Sequence, residues 1–124
     1  MSSHPSPAAR DGEPGPRAAI AADAPILTMI NVLEVPPERQ AELVAILETA
    51  TAEVMRYLPG FISANIHRSF DGTRVATYAQ WRSREDFERM LANPAAQAHI
   101  RDATAIAQAA PFLYRVSSVH LAAE

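Results

Sequence analysis

Three observations in the 124-residue sequence predict an α+β fold, an antiparallel sheet covered by helices on one face. Apolar, β-branched stretches and helical stretches follow one another in the order β-α-β-β-α-β. The middle two strands flank Asp71-Gly72, a strong short-range hairpin signal. Prolines mark the helix boundaries at Pro36-Pro37, Pro59-Gly60 and Asn93-Pro94. That order is the split βαβ, or ferredoxin-like, arrangement.

Residues 1–25 hold five of the ten prolines and few large apolar side chains. Such a segment cannot bury enough surface to offset its ordering entropy, so a disordered tail is expected, with the domain at 26–122. "ILTMINVLEV" (26–35) is a mostly buried strand interrupted by Asn31. Leu43, Leu47, Ala50, Val54 and Leu58 recur at helical spacing, predicting a helix over 37–58. "FISANIHRSF" (61–70) and "TRVATYAQWR" (73–82) form the hairpin. Ser83 then caps a helix whose first turn carries Glu85 and Asp86, and whose apolar side carries Phe87, Met90 and Leu91. An alanine-rich helix follows Pro94, and "FLYRVSSVHLA" (112–122) predicts the last strand.

Composition excludes several function classes. A net charge of −3 with scattered basic residues gives no nucleic-acid footprint. Without cysteine there is no thiol nucleophile, disulfide or thiolate metal site. No H-x-H or H-E-x-x-H pattern suggests a metal, and no glycine-rich loop suggests a nucleotide cofactor. No apolar run is long enough to span a membrane and no secretory signal opens the chain, so a cytoplasmic protein is expected.

Strand alternation sorts the candidate residues by face. Val75, Thr77, Ala79 and Trp81 share one face of the third strand, and Leu27, Met29, Asn31 and Leu33 share one face of the first. Asn65 and His67 share a face of the second, but which one depends on the turn. A two-residue Asp71-Gly72 loop places them away from Trp81. A three-residue loop starting at Phe70 places them beside it.

The segment from Leu58 to Phe87, "LPGFISANIHRSFDGTRVATYAQWRSREDF", resembles the antibiotic biosynthesis monooxygenase family, in particular its anthrone and tetracenomycin-type quinone-forming branch. "PGF", "DGT" and "YAQW" carry the resemblance, which extends over about residues 26–121. It implies a dimeric α+β barrel, a homodimer of ferredoxin-like subunits, each with a pocket between sheet and helices. It also implies oxidation of a polycyclic phenol or anthrone by O2, with neither metal nor flavin, and it favours the three-residue loop.

Residue by residue, the resemblance makes Trp81 a pocket wall, His67 a base or proton shuttle, and Asn31 a stabiliser of the substrate anion. Asn65, Thr77, Phe87, Met90, His99 and Arg101 are the expected substrate contacts. Thr77 stands where the family motif has asparagine, and Phe87 where some members have tyrosine. Those two departures keep open an oxygenase that opens a ring with reduced flavin (FMNH2 or FADH2). A haem-degrading member of the wider family and a non-catalytic ligand-binding dimer are the remaining alternatives.

Overall fold

The computed structural model describes residues 15–124. Four strands, β1 (Leu27–Glu34), β2 (Phe61–Arg68), β3 (Arg74–Trp81) and β4 (Pro111–Tyr114), form one sheet in the order β2-β3-β1-β4. Every neighbouring pair is antiparallel. Helices α1 (Gln40–Glu53), α2 (Arg84–Leu91) and α3 (Pro94–Thr104) complete the ferredoxin-like arrangement. The predicted break at Asn93-Pro94 is present, and the Asn93 side chain caps α3 by accepting from the Ala96 amide (3.0 Å).

Three predicted elements are shorter than expected, among them the alanine-rich helix expected over 94–110, which ends at Thr104. The helix expected over 37–58 contains regular α-helix only at Gln40–Glu53, with single 3-10 turns at Pro37–Arg39 and Met55–Tyr57. Leu58 precedes Pro59, whose ring disfavours helical backbone at the residue before it, and Leu58 is extended (φ −83°, ψ 148°). The last strand was expected to reach 122 but ends at Tyr114. Tyr114 pairs with Thr28, and β1 begins at Leu27, so the chain beyond has no strand to pair with.

Of the tail expected at 1–25, residues 1–14 lie outside the described residues. Residues 15–26 form no helix or strand, yet the Ala19 carbonyl accepts a hydrogen bond from the buried Gln80 side chain (2.8 Å).

The buried apolar side chains fall into two clusters under the helices. Leu33, Val35, Leu43, Val44, Val75 and Ala103 form one, and Ala79, Trp81, Phe87, Met90 and Ala96 form the other. The second cluster is anchored by a polar joint between β3 and α2. Asp86, 3% exposed, accepts from Arg82 Nε, Ser83 Oγ and Arg89 Nη1, each at 2.9 Å. Hydrogen bonds from Arg82 and Ser83 hold its carboxyl below the usual carboxylate range. Ser83 in turn accepts from the Asp86 amide (3.1 Å), capping α2. Gly60 approaches this joint at φ +82°, and a Cβ there would overlap the Asp86 side chain. The Gly60 carbonyl also accepts from the Arg82 amide (2.7 Å). The joint therefore fixes Phe61 and Trp81, each adjacent to one of those two residues.

Candidate active site

Between the two apolar clusters lies a cavity of about 490 Å³, roofed by the three helices and floored by the sheet. Its lining is overwhelmingly apolar, which makes its few polar groups informative.

Two of them sit side by side. Asn31 on β1 is the Cα partner of Thr77 on β3, and both face the cavity. On its other side Asn31 pairs with Pro111 of β4, and proline has no amide hydrogen to offer the ladder. The Ala110 amide instead donates to Asn31 Oδ1 (2.9 Å). That bond fixes which end of the side-chain amide is which. Nδ2 is left with no partner among the described residues. Thr77 Oγ1 is buried and likewise has none. An unpaired buried hydroxyl costs about 1–3 kcal/mol, which a bound oxygen atom would recover.

Trp81 lies at the other end of the same strand face and is 2% exposed. Phe61 meets it edge-on at 5.4 Å between ring centroids, and Phe87 does so at 6.3 Å. The indole is thus core and cavity lining together, and leaves a ligand little free ring face. Phe87 and Met90 of α2 also line the cavity, as expected. His99 enters from α3, half-buried, on the helix side that carries the buried Ala96 and Ala103.

Three expected residues are elsewhere. His67 pairs with Ala76 and Asn65 with Tyr78, so both occupy the sheet face opposite Trp81. The three-residue loop does not form. Ser69 and Arg74 close the turn instead, with Ser69 N–H donating to the Arg74 carbonyl (3.0 Å). Asp71 Oδ1 widens the loop by accepting from Ser69 Oγ (2.8 Å), Thr73 N (3.0 Å) and Thr73 Oγ1 (2.7 Å). These bonds push the Asp71 carboxyl down to about 2. Relative to a two-residue turn the closing pair moves back one residue on each strand, which preserves that turn's facing. His67 is exposed, and Asn65 Nδ2 is spent on the Tyr78 carbonyl (2.9 Å). Arg101 is also exposed, because two residues along α3 turn it well away from the His99 side.

Phe61 is the lining residue that strand alternation could not supply. A register shift between Phe61 and Ser63 returns it to the Trp81 face, although Ala64 and Ile66 already alternate onto that face in the shifted register. The preceding Pro59-Gly60 turn is the nearest sequence signal.

The family model for "Antibiotic biosynthesis monooxygenase" matches residues 26–102. The chain belongs to the antibiotic biosynthesis monooxygenase family. Tetracenomycin-F1 monooxygenase of Streptomyces glaucescens is 39% identical over 100 residues, which is 81% of this chain and 89% of that one. The fold resembles SnoaB, a cofactor-independent oxygenase from Streptomyces nogalater, with a TM-score of 0.69 at 23% identity over 76% of this chain and 95% of SnoaB. It also resembles the monooxygenase from the gene ActVA-Orf6 of Streptomyces coelicolor, solved in complex with nanaomycin D. There the TM-score is 0.64 at 26% identity, covering 77% of this chain and 92% of that one.

This member of the family is a monooxygenase. Among the described residues no group of three or more His, Asp or Glu could hold a metal ion. No helix among them is long and apolar enough to cross a membrane.

Proposed function

We propose that this monooxygenase oxidises a polycyclic aromatic polyketide, phenol or anthrone to quinone, using O2 and no cofactor. The observation that carries the reading is the unpaired Thr77 hydroxyl beside the free end of the Asn31 amide, in a cavity whose lining is mostly apolar. A flat hydrocarbon skeleton fits the apolar walls, and one phenol or carbonyl oxygen meets the polar pair. The 39% identity to tetracenomycin-F1 monooxygenase supports the same substrate class.

The chemistry follows from that placement. Loss of a proton gives an electron-rich anion whose oxygen is held by Asn31 Nδ2 and Thr77 Oγ1, fixed dipoles that need no reorganisation. The anion reduces O2 and combines with it to give a peroxide on carbon. Loss of water then leaves the quinone carbonyl. The substrate supplies all four electrons, so no external reductant is required. The apolar lining keeps bulk water from the anion.

The working unit in this reading is a homodimer. The sheet face away from the helices exposes Val32 (38%), Ile62 (45%), Phe112 (63%) and Tyr114 (48%), and the strand-patterned chain after Tyr114 has nothing to pair with. A second copy would cover both.

Oxygen uptake on tetracenomycin F1 and on 1,8-dihydroxyanthrone, with and without reduced flavin, tests the proposal. One O2 consumed per quinone formed without flavin is the expected result. Turnover that appears only with FMNH2 or FADH2 would move the protein to the ring-opening class.

A further inference from the structure

Among the described residues that line the cavity, His99 is the one titratable side chain. The strands contribute Met29, Asn31, Thr77 and apolar groups, α1 contributes Leu47, Ala50 and Thr51, and α2 contributes Phe87, Met90 and Leu91. None of these can take up a proton near neutral pH. The charged neighbours of His99 on its own helix, Arg101 and Asp102, are exposed and outside the lining. Glu88 and Arg89 of α2 are exposed as well and do not line the cavity. The geometry points to His99 as the residue that accepts the proton from the bound phenol or anthrone.

This assignment rests on the oxygenase reading and gives its first step a definite atom. Removing a proton from substrate requires a base inside a cavity that otherwise excludes water, and an imidazole titrates in the right range. The proton moves from the substrate O–H or C–H to a ring nitrogen of His99, leaving the pair of electrons on the substrate. After O2 adds, the imidazolium returns that proton to the peroxide, giving C–OOH. His99 then takes the second proton from the same carbon as the O–O bond breaks. The departing hydroxide collects that proton and leaves as water, so the histidine ends as it began. His67, the histidine that the family resemblance singled out, is on the opposite sheet face and cannot reach this substrate.

Two measurements on 1,8-dihydroxyanthrone test the inference. The first is the pH profile of kcat/KM for oxygen uptake. The wild type should lose activity as pH falls, because a protonated base cannot accept the substrate proton. His99→Gln should be slower by about 10²-fold at neutral pH and should lack that acid limb. Added imidazole should restore a good part of the rate to His99→Ala. A His99→Gln variant within threefold of wild type, with the acid limb intact, overturns the assignment.

The second measurement is anaerobic. Binding to the wild type should produce the visible absorption of the anthrone anion at a pH where the free compound is neutral, and His99→Gln should bind without it. If the wild type shows no anion band, His99 is not the proton acceptor. If the wild type forms a His99-dependent anion band but consumes no O2, the oxygenase reading fails while the proton assignment stands.

Discussion

The two faces of the sheet are built from similar residues, yet they treat polar groups in opposite ways. On the outer face the polar side chains largely satisfy one another and the backbone. Asn65 donates to Tyr78 O, Ser63 to Gln80 Oε1 (2.6 Å), and Gln80 to Ala19 O, with the buried Thr28 hydroxyl the exception. On the inner face Thr77 Oγ1 has no partner and Asn31 uses only one end of its amide, and both border empty volume. The outer network meets its own hydrogen-bonding needs, whereas the inner pair has capacity left for the bound oxygen proposed above. The apolar residues show the reverse contrast. Those inside, Leu33, Val75, Ala79 and Trp81, are covered by helices, while Val32, Ile62, Phe112 and Tyr114 outside are exposed.

The largest effect in this comparison should come from unlocking the joint that holds the inner face together. Gly60→Ala places a side chain at φ +82° and against the Asp86 carboxylate. Backbone strain of about 1–3 kcal/mol adds to that overlap. Thermal unfolding should shift down by more than about 10 °C, or the protein should fail to accumulate.

Next comes the outer face. Phe112→Asp puts a charge where Phe112 is 63% exposed on the uncovered stripe. Light scattering should find the wild type at twice the chain mass at micromolar concentration and the variant at the single-chain mass. A monomeric wild type would remove the reason for that apolar surface.

Trp81→Phe has a smaller and mixed effect, because the indole belongs to the core and to the cavity. Truncating a fully buried Trp to Ala costs about 3–5 kcal/mol, so the milder change to Phe should cost on the order of 1–2 kcal/mol. Calorimetry should show that loss together with a several-fold lower rate. Loss of stability with no change in rate per folded molecule would make the indole a core residue alone.

The smallest effect lies in the hairpin. Asp71 has a folded pKa of about 2, below its ordinary 3.8, so its stabilisation is complete above about pH 4 and fades as pH falls toward 2. Asp71→Asn should be less stable than wild type at pH 5, with a shallower decline in melting temperature between pH 4 and 2.

The same hairpin shows where sequence reading stops. The faces of β1 and β3 were legible because each strand alternates cleanly, and both hold in the structure. The facing of β2 was not, because it depends on how the loop closes. That closure is set by three hydrogen bonds to one Asp71 oxygen, which no periodicity reveals. The consequence fell on the candidate site. Asn31, Thr77, Trp81, Phe87, Met90 and His99 converge on the cavity, while Asn65, His67 and Arg101 do not. The end of β4 was similarly hidden, since it depends on where β1 begins rather than on the "FLYRVSSVHLA" pattern itself.

The central claim is that chemistry belongs to the inner face, and a side-by-side comparison of Asn31→Ala and His67→Gln tests it most directly. Oxygen uptake on 1,8-dihydroxyanthrone should fall by about tenfold or more in Asn31→Ala, as expected when a preorganised donor is removed. His67→Gln, an exposed change on the far face, should stay within twofold of wild type. A crippled His67→Gln beside a fully active Asn31→Ala would contradict the account and place the reaction on the other side of the sheet.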